Sequence, residues 1–347
     1  AKQGEALRKA VHQATLQALQ GRELTLKSIR EVLKSATHAA SAGAAKSGLG
    51  RTDVEALLTR AVEGMDAALV KAVEANRRAL QQFVEPYRLE TVRTEVVLPA
   101  ERAPARALRI AVLSDLQCVE VTDHERDAVA RALAARPDLI LLPGDFVQVG
   151  THRIPEIWPA FHALVAELDA PLGVYAVQGD CETPEEAREL FEDTRVRFLH
   201  DEIVVAERDG VRVRLCGVQR AFDRERGRAV LAEFAAQPVE DGELRLVVAH
   251  RPDVVFALDP SAHVDLVVAG HTHGGQVQIP GFGPPILLSS VPREVGAGGL
   301  HEVGGVRIYV SRGIGWEHGH APRVRFFCRP EVSVLTLPAR GASTLAR

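Results

Sequence analysis

From Ile110 onward, short wholly apolar runs alternate with longer stretches in which apolar residues recur every three or four positions. Ile110–Leu113, Leu139–Leu142, Val174–Val177, Val211–Leu215, Leu246–Val248 and Val264–Val268 are too short for buried helices and read as strands covered on both faces. Glu125–Ala135, Ile157–Leu168, Pro184–Phe191 and Ala229–Ala235 carry the helical spacing between them. This alternation predicts a layered α/β architecture, with helices packed outside sheets. After residue 276 the pattern turns to strands and Gly/Pro loops, closing on a strand at Val332–Leu337.

The first 86 residues keep a different rhythm. Leu7, Val11, Ala14 and Ala18 share one helical face, as do Leu26, Ile29 and Leu33, and then Leu58, Val62, Met65 and Leu69. Gly21-Arg22 breaks the first helix, and the Ala/Ser/Gly-rich run 39–50 ends the second. Thr52 with Glu55 forms a capping box for the third, and Pro86 stops it. Composition draws the same boundary. All six lysines lie at or before Lys71, and every later base is arginine. Residues 1–86 carry 13 bases and 9 acids (net +4); residues 87–347 carry 29 bases and 37 acids (net −8). We therefore expect an all-helical appendage over 1–86, a linker or edge strand over 87–107, a main domain over 108–338 and a flexible tail over 339–347. The appendage reads as an oligomerisation arm giving a homo-oligomer, or as a basic amphipathic helix on a membrane surface. Its segment Gly64–Glu85 resembles small Ala-rich helical proteins of unknown function.

The whole chain of 347 residues is 46% apolar and 25% charged, which excludes a mainly disordered protein. No run of 18 apolar residues occurs, so no membrane-spanning helix is expected. The start, Ala1-Lys2-Gln3-Gly4-Glu5, has no basic-then-apolar signal pattern and no initiating Met, so a segment removed before it stays open. A net charge of −4 argues against a nucleic-acid scaffold. Cys118, Cys181, Cys216 and Cys328 have neither zinc-site spacing nor the density of a disulfide framework. A cytoplasmic location, peripheral at the inner membrane if the basic helix acts there, is the expectation.

Candidate chemistry gathers directly after the strands, where open α/β sheets place their ligands. The clusters are Ser114-Asp115-Leu116-Gln117, Gly144-Asp145, Gly179-Asp180-Cys181-Glu182, His250-Arg251-Pro252-Asp253 and Gly270-His271-Thr272-His273-Gly274-Gly275-Gln276. Any one of them reads equally well as a loop cap. Five in order read as a two-metal site, because carboxylates and imidazoles hold divalent first-row ions. His271 and His273, two apart in a Gly-flanked turn, can point at different ions, and Asp145 is best placed to bridge them. Two ions about 3.5–4 Å apart can hold a hydroxide nucleophile and clamp a phosphoryl oxygen.

This order of motifs resembles the calcineurin-like metallophosphoesterase superfamily. His-Arg-Pro-Asp, Gly-His-Thr-His-Gly-Gly-Gln and the closing Arg325–Glu331 are similar to its bacterial YkuE/YaeI-like branch, over about residues 108–338. The resemblance implies a four-layer αββα sandwich. It further implies Asp115, Gln117, Asp145 and His273 around a first ion, and Asp145, Asp180, His250 and His271 around a second. Mn²⁺ is the favoured ion, with Mg²⁺, Fe²⁺ or Zn²⁺ as alternatives. Three motifs depart from the usual pattern. Gln117 replaces a His, Asp180 and Cys181 replace Asn and His, and Gln148 stands where Asp or Asn is frequent. An extra carboxylate with one imidazole fewer predicts a harder, more anionic cage. Cys181 occupies the place of the usual leaving-group acid, and His318 or His320, or else His124, could take that role. Trp316 could wall the mouth, and the arginines at 212, 214, 224, 226 and 228 read as a solvated face. The implied activity is hydrolysis of a phosphodiester or pyrophosphate by metal-hydroxide attack. Relatives in this branch point to a UDP-diacylglucosamine-type lipid pyrophosphate. The rival reading is a catalytically degenerate metal-binding or scaffold protein of the same fold.

Overall fold

The computed structural model describes residues 85–149, 153–220, 222–317 and 324–341. The chain divides into two compact units, 1–80 and 81–347, and all described residues lie in the second. The helical appendage expected over 1–86 therefore falls almost wholly outside the described residues, as does the end of the tail.

Two six-stranded sheets form the frame. The first has the order β1-β12-β2-β3-β4-β5, with β1 at Glu90–Glu95, β2 at Leu108–Val112, β3 at Leu139–Leu142, β4 at Val174–Val177, β5 at Val196–Leu199 and β12 at Glu331–Leu337. Strands β2 to β5 run parallel, while β12 lies antiparallel to β2 and parallel to β1. The second has the order β10-β11-β9-β8-β7-β6, with β6 at Glu202–Arg208, β7 at Val211–Val218, β8 at Glu243–Ala249, β9 at Leu266–Ala269, β10 at Gly299–Val303 and β11 at Val306–Val310. Its inner strands β7, β8, β9 and β11 are parallel, and the outer two are antiparallel to their neighbours.

Residues alternate between the faces of each strand, so every apolar run feeds two cores. Ile110, Val112, Leu139, Leu141 and Val177 meet Leu215, Leu246, Val248, Leu266 and Val268 between the sheets. Ala111, Leu113, Ile140, Leu142 and Ala176 face outward against helices α1 (Asp123–Ala134), α2 (Ile154–Ala166) and α3 (Pro184–Phe191). Cys216, Val247, Ala249, Val267 and Val310 face α4 (Glu225–Ala236) through Val230, Leu231 and Phe234. This is the αββα sandwich. Each fully buried large aliphatic side chain contributes about 1.5–3 kcal/mol, and the layers are held chiefly by that burial.

Local chemistry starts the helices on time. Thr122 with Glu125 and Thr183 with Glu186 form complete capping boxes at the heads of α1 and α3. Arg212 and Arg214, expected on a solvated face, instead converge on the fully buried carboxylate of Glu243. They lie at the amino ends of the strands, away from the polar clusters; Arg214 is largely buried, which corrects its reading as a surface base, while Arg212 also reaches the exposed Glu207.

Candidate metal centre

All five polar clusters meet at the carboxyl ends of the strands. The division is chemical as well as spatial. The first sheet delivers Asp115 and Gln117 after β2, Asp145 after β3 and Asp180 after β4, so it supplies the carboxylates and the amide. The second delivers His250 after β8 and His271 and His273 after β9, so it supplies the imidazoles. The chain must turn within a residue or two of each strand end. Asp115, Gln117, Asp145, His271 and His273 take left-handed backbone, with φ of 50°, 42°, 56°, 71° and 49°. Such conformations cost about 1–3 kcal/mol apiece and persist where the surroundings over-determine them. Two glycines allow the approach. A Cβ on Gly179 would lie 2.1 Å from the Asp145 amide, and one on Gly270 would lie 2.2 Å from Asp115 Oδ2.

The resulting cage is tight. His250 Nε2 stands 3.4 Å from Asp145 Oδ2 and 3.9 Å from Asp180 Oδ2. His271 Nδ1 is 3.1 Å from Asp180 Oδ2, and His273 Nε2 is 3.7 Å from Asp115 Oδ1. Asp180, His250 and His271 offer ligand atoms within 4.8 Å of one another, and so do Asp115, Asp145 and His250. Outer partners hold the rings: His250 Nδ1 meets the Pro143 carbonyl at 2.7 Å and His271 Nε2 the Leu288 carbonyl at 2.9 Å. Asp115 accepts from the Ser114 hydroxyl and from the His271 amide. Asp145 Oδ1 accepts from the backbone amides of Asp180 and Cys181.

Among the described residues, Gln117 Oε1, His250 Nε2 and His273 Nε2 are buried without any hydrogen-bond partner. Orphaned polar atoms of this kind are costly. The two imidazole nitrogens face the carboxylates of Asp145 and Asp115, which is what a cation would relieve, so the residues present fit divalent ions.

The buried acids and imidazoles shift one another's titration. Burial works against a charged His250 ring, but Asp145 and the other carboxylates outweigh it and lift its pKa to about 10. Burial would likewise raise Asp145, yet His250 holds it well below the usual carboxylate range. Asp115 is pushed up to about 6 by burial. Glu182, which accepts from the amides of Asp145, Phe146 and Gly179, is pushed up to about 8 by burial and then by the Asp145 charge. His273 is held well below its ordinary value by burial and then by Arg325.

The departures from the usual motifs have partners. The Asp180 carboxylate is gripped by Arg251, with Nη2 at 2.8 and 2.9 Å, and approached by Arg220 at 3.8 Å. Its added charge is therefore neutralised from the rim, and the cage is less anionic than the sequence suggested. Gln117 Nε2 donates to Asp145 Oδ2 at 3.2 Å and to Glu317 Oε2 at 3.1 Å. Gln148 Nε2 donates to Glu317 Oε1 at 2.6 Å, and the Glu317 amide donates to Gln276 Oε1 at 2.7 Å. No motif in the sequence points to Glu317, which follows Trp316 in the loop after β11. The Cys181 thiol lies 3.8 Å from Gln117 Nε2, and burial together with Asp145 pushes its pKa far up, so it stays protonated. All four cysteines are free. His318 and His320 lie outside the described residues. His124 hydrogen-bonds the Ile314 carbonyl and stacks edge-on with Tyr87 and Trp316, bracing the loop after β11.

Comparison with known proteins adds the following. Residues 108–275 match the calcineurin-like phosphoesterase family, and residues 1–89 match a family of unknown function, DUF6781. Phosphodiesterase YaeI of Escherichia coli is 29% identical over 263 residues, covering 74% of this chain and 90% of that protein. The uncharacterized metallophosphoesterase YkuE of Bacillus subtilis is 25% identical over 270 residues, covering 74% and 88%. UDP-2,3-diacylglucosamine pyrophosphatase LpxG of Chlamydia muridarum is 24% identical over 314 residues, covering 73% and 90%.

Proposed function

Because this chain carries a calcineurin-like metallophosphoesterase domain and is a hydrolase of phosphoester bonds, we propose that it cleaves a phosphodiester or pyrophosphate at a dinuclear centre. Asp145 would lie between two divalent ions. Asp115, Gln117 and His273 would hold one, and Asp180, His250 and His271 the other. When bound, such ions supply a nucleophile from water at neutral pH and neutralise phosphoryl charge. The chain's own groups set the rest. His250 and His271 are oriented by the Pro143 and Leu288 carbonyls, so each presents one ring nitrogen inward. Arg251 and Arg220, at the exposed rim of the Asp180 corner, can take non-bridging phosphoryl oxygens once an ion competes for that carboxylate. Cys181 is a poor acid, so leaving groups that depart as anions are favoured. Pyrophosphates and activated diesters meet that demand.

The observation that carries this reading is the convergence of two orphaned buried imidazole nitrogens, His250 Nε2 and His273 Nε2, on a cluster of carboxylates. The test is metal content of the purified chain together with hydrolysis of bis-p-nitrophenyl phosphate in Mn²⁺. Two equivalents of metal and turnover lost in Asp145→Asn support it. Metal without turnover on esters or pyrophosphates would favour the degenerate-scaffold alternative.

A lipid pyrophosphate of the UDP-diacylglucosamine class is a narrower reading, favoured by one feature. Ile279, Phe282, Ile286 and Leu288 are 44%, 53%, 71% and 64% exposed on one loop, and the Leu288 carbonyl touches the His271 ring. An apolar rim beside the centre suits an acyl-bearing substrate. Ile286→Asp should cut turnover of the micellar lipid far more than that of bis-p-nitrophenyl phosphate. Equal losses on both would remove this reading.

A further inference from the structure

Two of the residues that depart from the usual motifs meet on a carboxylate that lies outside every motif. Gln117 Nε2 donates to Glu317 Oε2 at 3.1 Å, and Gln148 Nε2 donates to Glu317 Oε1 at 2.6 Å. A third glutamine, Gln276, accepts the Glu317 backbone amide on Oε1 at 2.7 Å. Amide side chains from the loops after β2, β3 and β9 thus gather around one residue from the loop after β11.

The loop that delivers Glu317 is fixed along its length. The Ile314 amide donates to the Ser114 carbonyl and the Gly315 amide to the Asp115 carbonyl, which lays the loop beside the turn that carries Gln117. Only glycine serves at 315, since a Cβ there would lie 2.1 Å from the Leu116 carbonyl oxygen. His124 Nε2 meets the Ile314 carbonyl at 2.9 Å, and Trp316 packs edge-on against Tyr87 and His124. The backbone therefore sets the place of Glu317 before its side chain makes any bond.

What the carboxylate does to Gln117 follows from the two ends of an amide. One end of the Gln117 side chain faces two carboxylates, Asp145 Oδ2 at 3.2 Å and Glu317 Oε2 at 3.1 Å, and only the nitrogen end can donate to them. The oxygen end, Oε1, is buried with no hydrogen-bond partner among the described residues. Asp145 belongs to a candidate ligand cluster, so its oxygens are claimed once ions are bound. Glu317 stands outside both candidate clusters and remains as an acceptor for the Gln117 nitrogen.

Resting on the dinuclear reading above, we propose that Glu317 is a positioning residue of the centre. It turns the Gln117 amide so that Oε1 is the atom offered to an ion, and Gln148 steadies the carboxylate from its other oxygen. An amide without this hold would as readily present its N–H groups, which repel a cation.

The test is a calorimetric Mn²⁺ titration of the metal-stripped full chain, with Tm and turnover of bis-p-nitrophenyl phosphate measured on the same samples. Glu317→Ala should weaken one of two Mn²⁺ ions by at least about tenfold, the scale on which partners behind a ligand tune metal affinity. Its lost turnover should return in excess Mn²⁺, and its metal-free Tm should match that of the unaltered chain. Glu317→Gln, which fills the same space and keeps one oxygen acceptor, should recover part of the affinity, and it supplies the comparison if alanine lowers Tm. In a Gln117→Ala background, Glu317→Ala should cost less than about a further twofold, because a residue acting through Gln117 then has nothing to position. The inference falls if Glu317→Ala binds both ions as tightly as the unaltered chain. It falls equally if the loss is as large in the Gln117→Ala background, or if turnover stays low in saturating Mn²⁺. Each of these leaves the dinuclear reading intact, whereas an unaltered chain that binds no Mn²⁺ overturns both.

Discussion

Ions should enter this centre against protons, and the size of the effect follows from His250. The ring is buried among Asp145, Asp115 and Asp180, and its pKa is raised to about 10. A raised value means that the proton is held below that pH and lost above it. At about pH 7 an ion reaching Nε2 must displace that proton across about three pH units, or about 4 kcal/mol at 1.36 kcal/mol per unit. Apparent affinity for Mn²⁺ should therefore tighten about tenfold per unit between about pH 6 and pH 9, then level off near 10. Glu182 lies in the same field and is raised to about 8, so an ion at Asp145 should release part of a second proton. The assay is calorimetric titration at several pH values, in buffers of different protonation heat. Release of at least about one proton per ion near pH 7 is expected, and His250→Gln should abolish most of it. An affinity that stays flat across this range, or binding without proton release, would refute the reasoning. The same competition makes hydrolysis fall in acid.

Four further outcomes are expected. Asp145→Asn removes the carboxylate proposed to serve both ions and should lower kcat/KM on bis-p-nitrophenyl phosphate by at least about 100-fold, with lower metal content by elemental analysis. Gly179→Ala drives a Cβ into the Asp145 amide and should destabilise the fold by about 1–3 kcal/mol, read as a fall in Tm; an unchanged Tm would count against the close approach. Arg251→Ala frees Asp180 from an exposed ion pair worth about 0–1 kcal/mol, so Mn²⁺ should bind no more than about fivefold better. Weaker binding would mean that Arg251 supports the ion. Cys181→His should raise turnover of alkyl diesters by about 100-fold relative to p-nitrophenyl esters, and an unchanged ratio would remove the leaving-group role from that position.

The central strands were legible because they are buried on both faces and show unbroken apolar runs, as at Leu139–Leu142. Strands β5 and β6 carry no such run. Val196–Leu199 carries an exposed Arg197, and Glu202–Arg208 is an edge strand with polar ends, so neither stands out from a loop. The seven candidate ligands were legible because each follows a strand within a few residues. What they lean on was not. Glu317 reaches Gln117 across 200 positions, Arg325 reaches His273 across 52, and Arg251 reaches Asp180 across 71. Pairings over such distances leave no periodic trace. They also reversed one expectation, since the charge gained at Asp180 is met by an arginine that the sequence presented only as part of a motif.

The separation of acids and imidazoles onto different sheets has a consequence for assembly. The candidate clusters each draw on both sheets, so the full donor sets form only when the two are docked in register. One residue of slip along a strand is about 3.3 Å, longer than any ligand bond to these metals. An ion held there would act as a vernier between the halves of the sandwich. It should tighten with correct alignment, resist sliding of one sheet over the other, and report on the joining of the halves before any substrate is present.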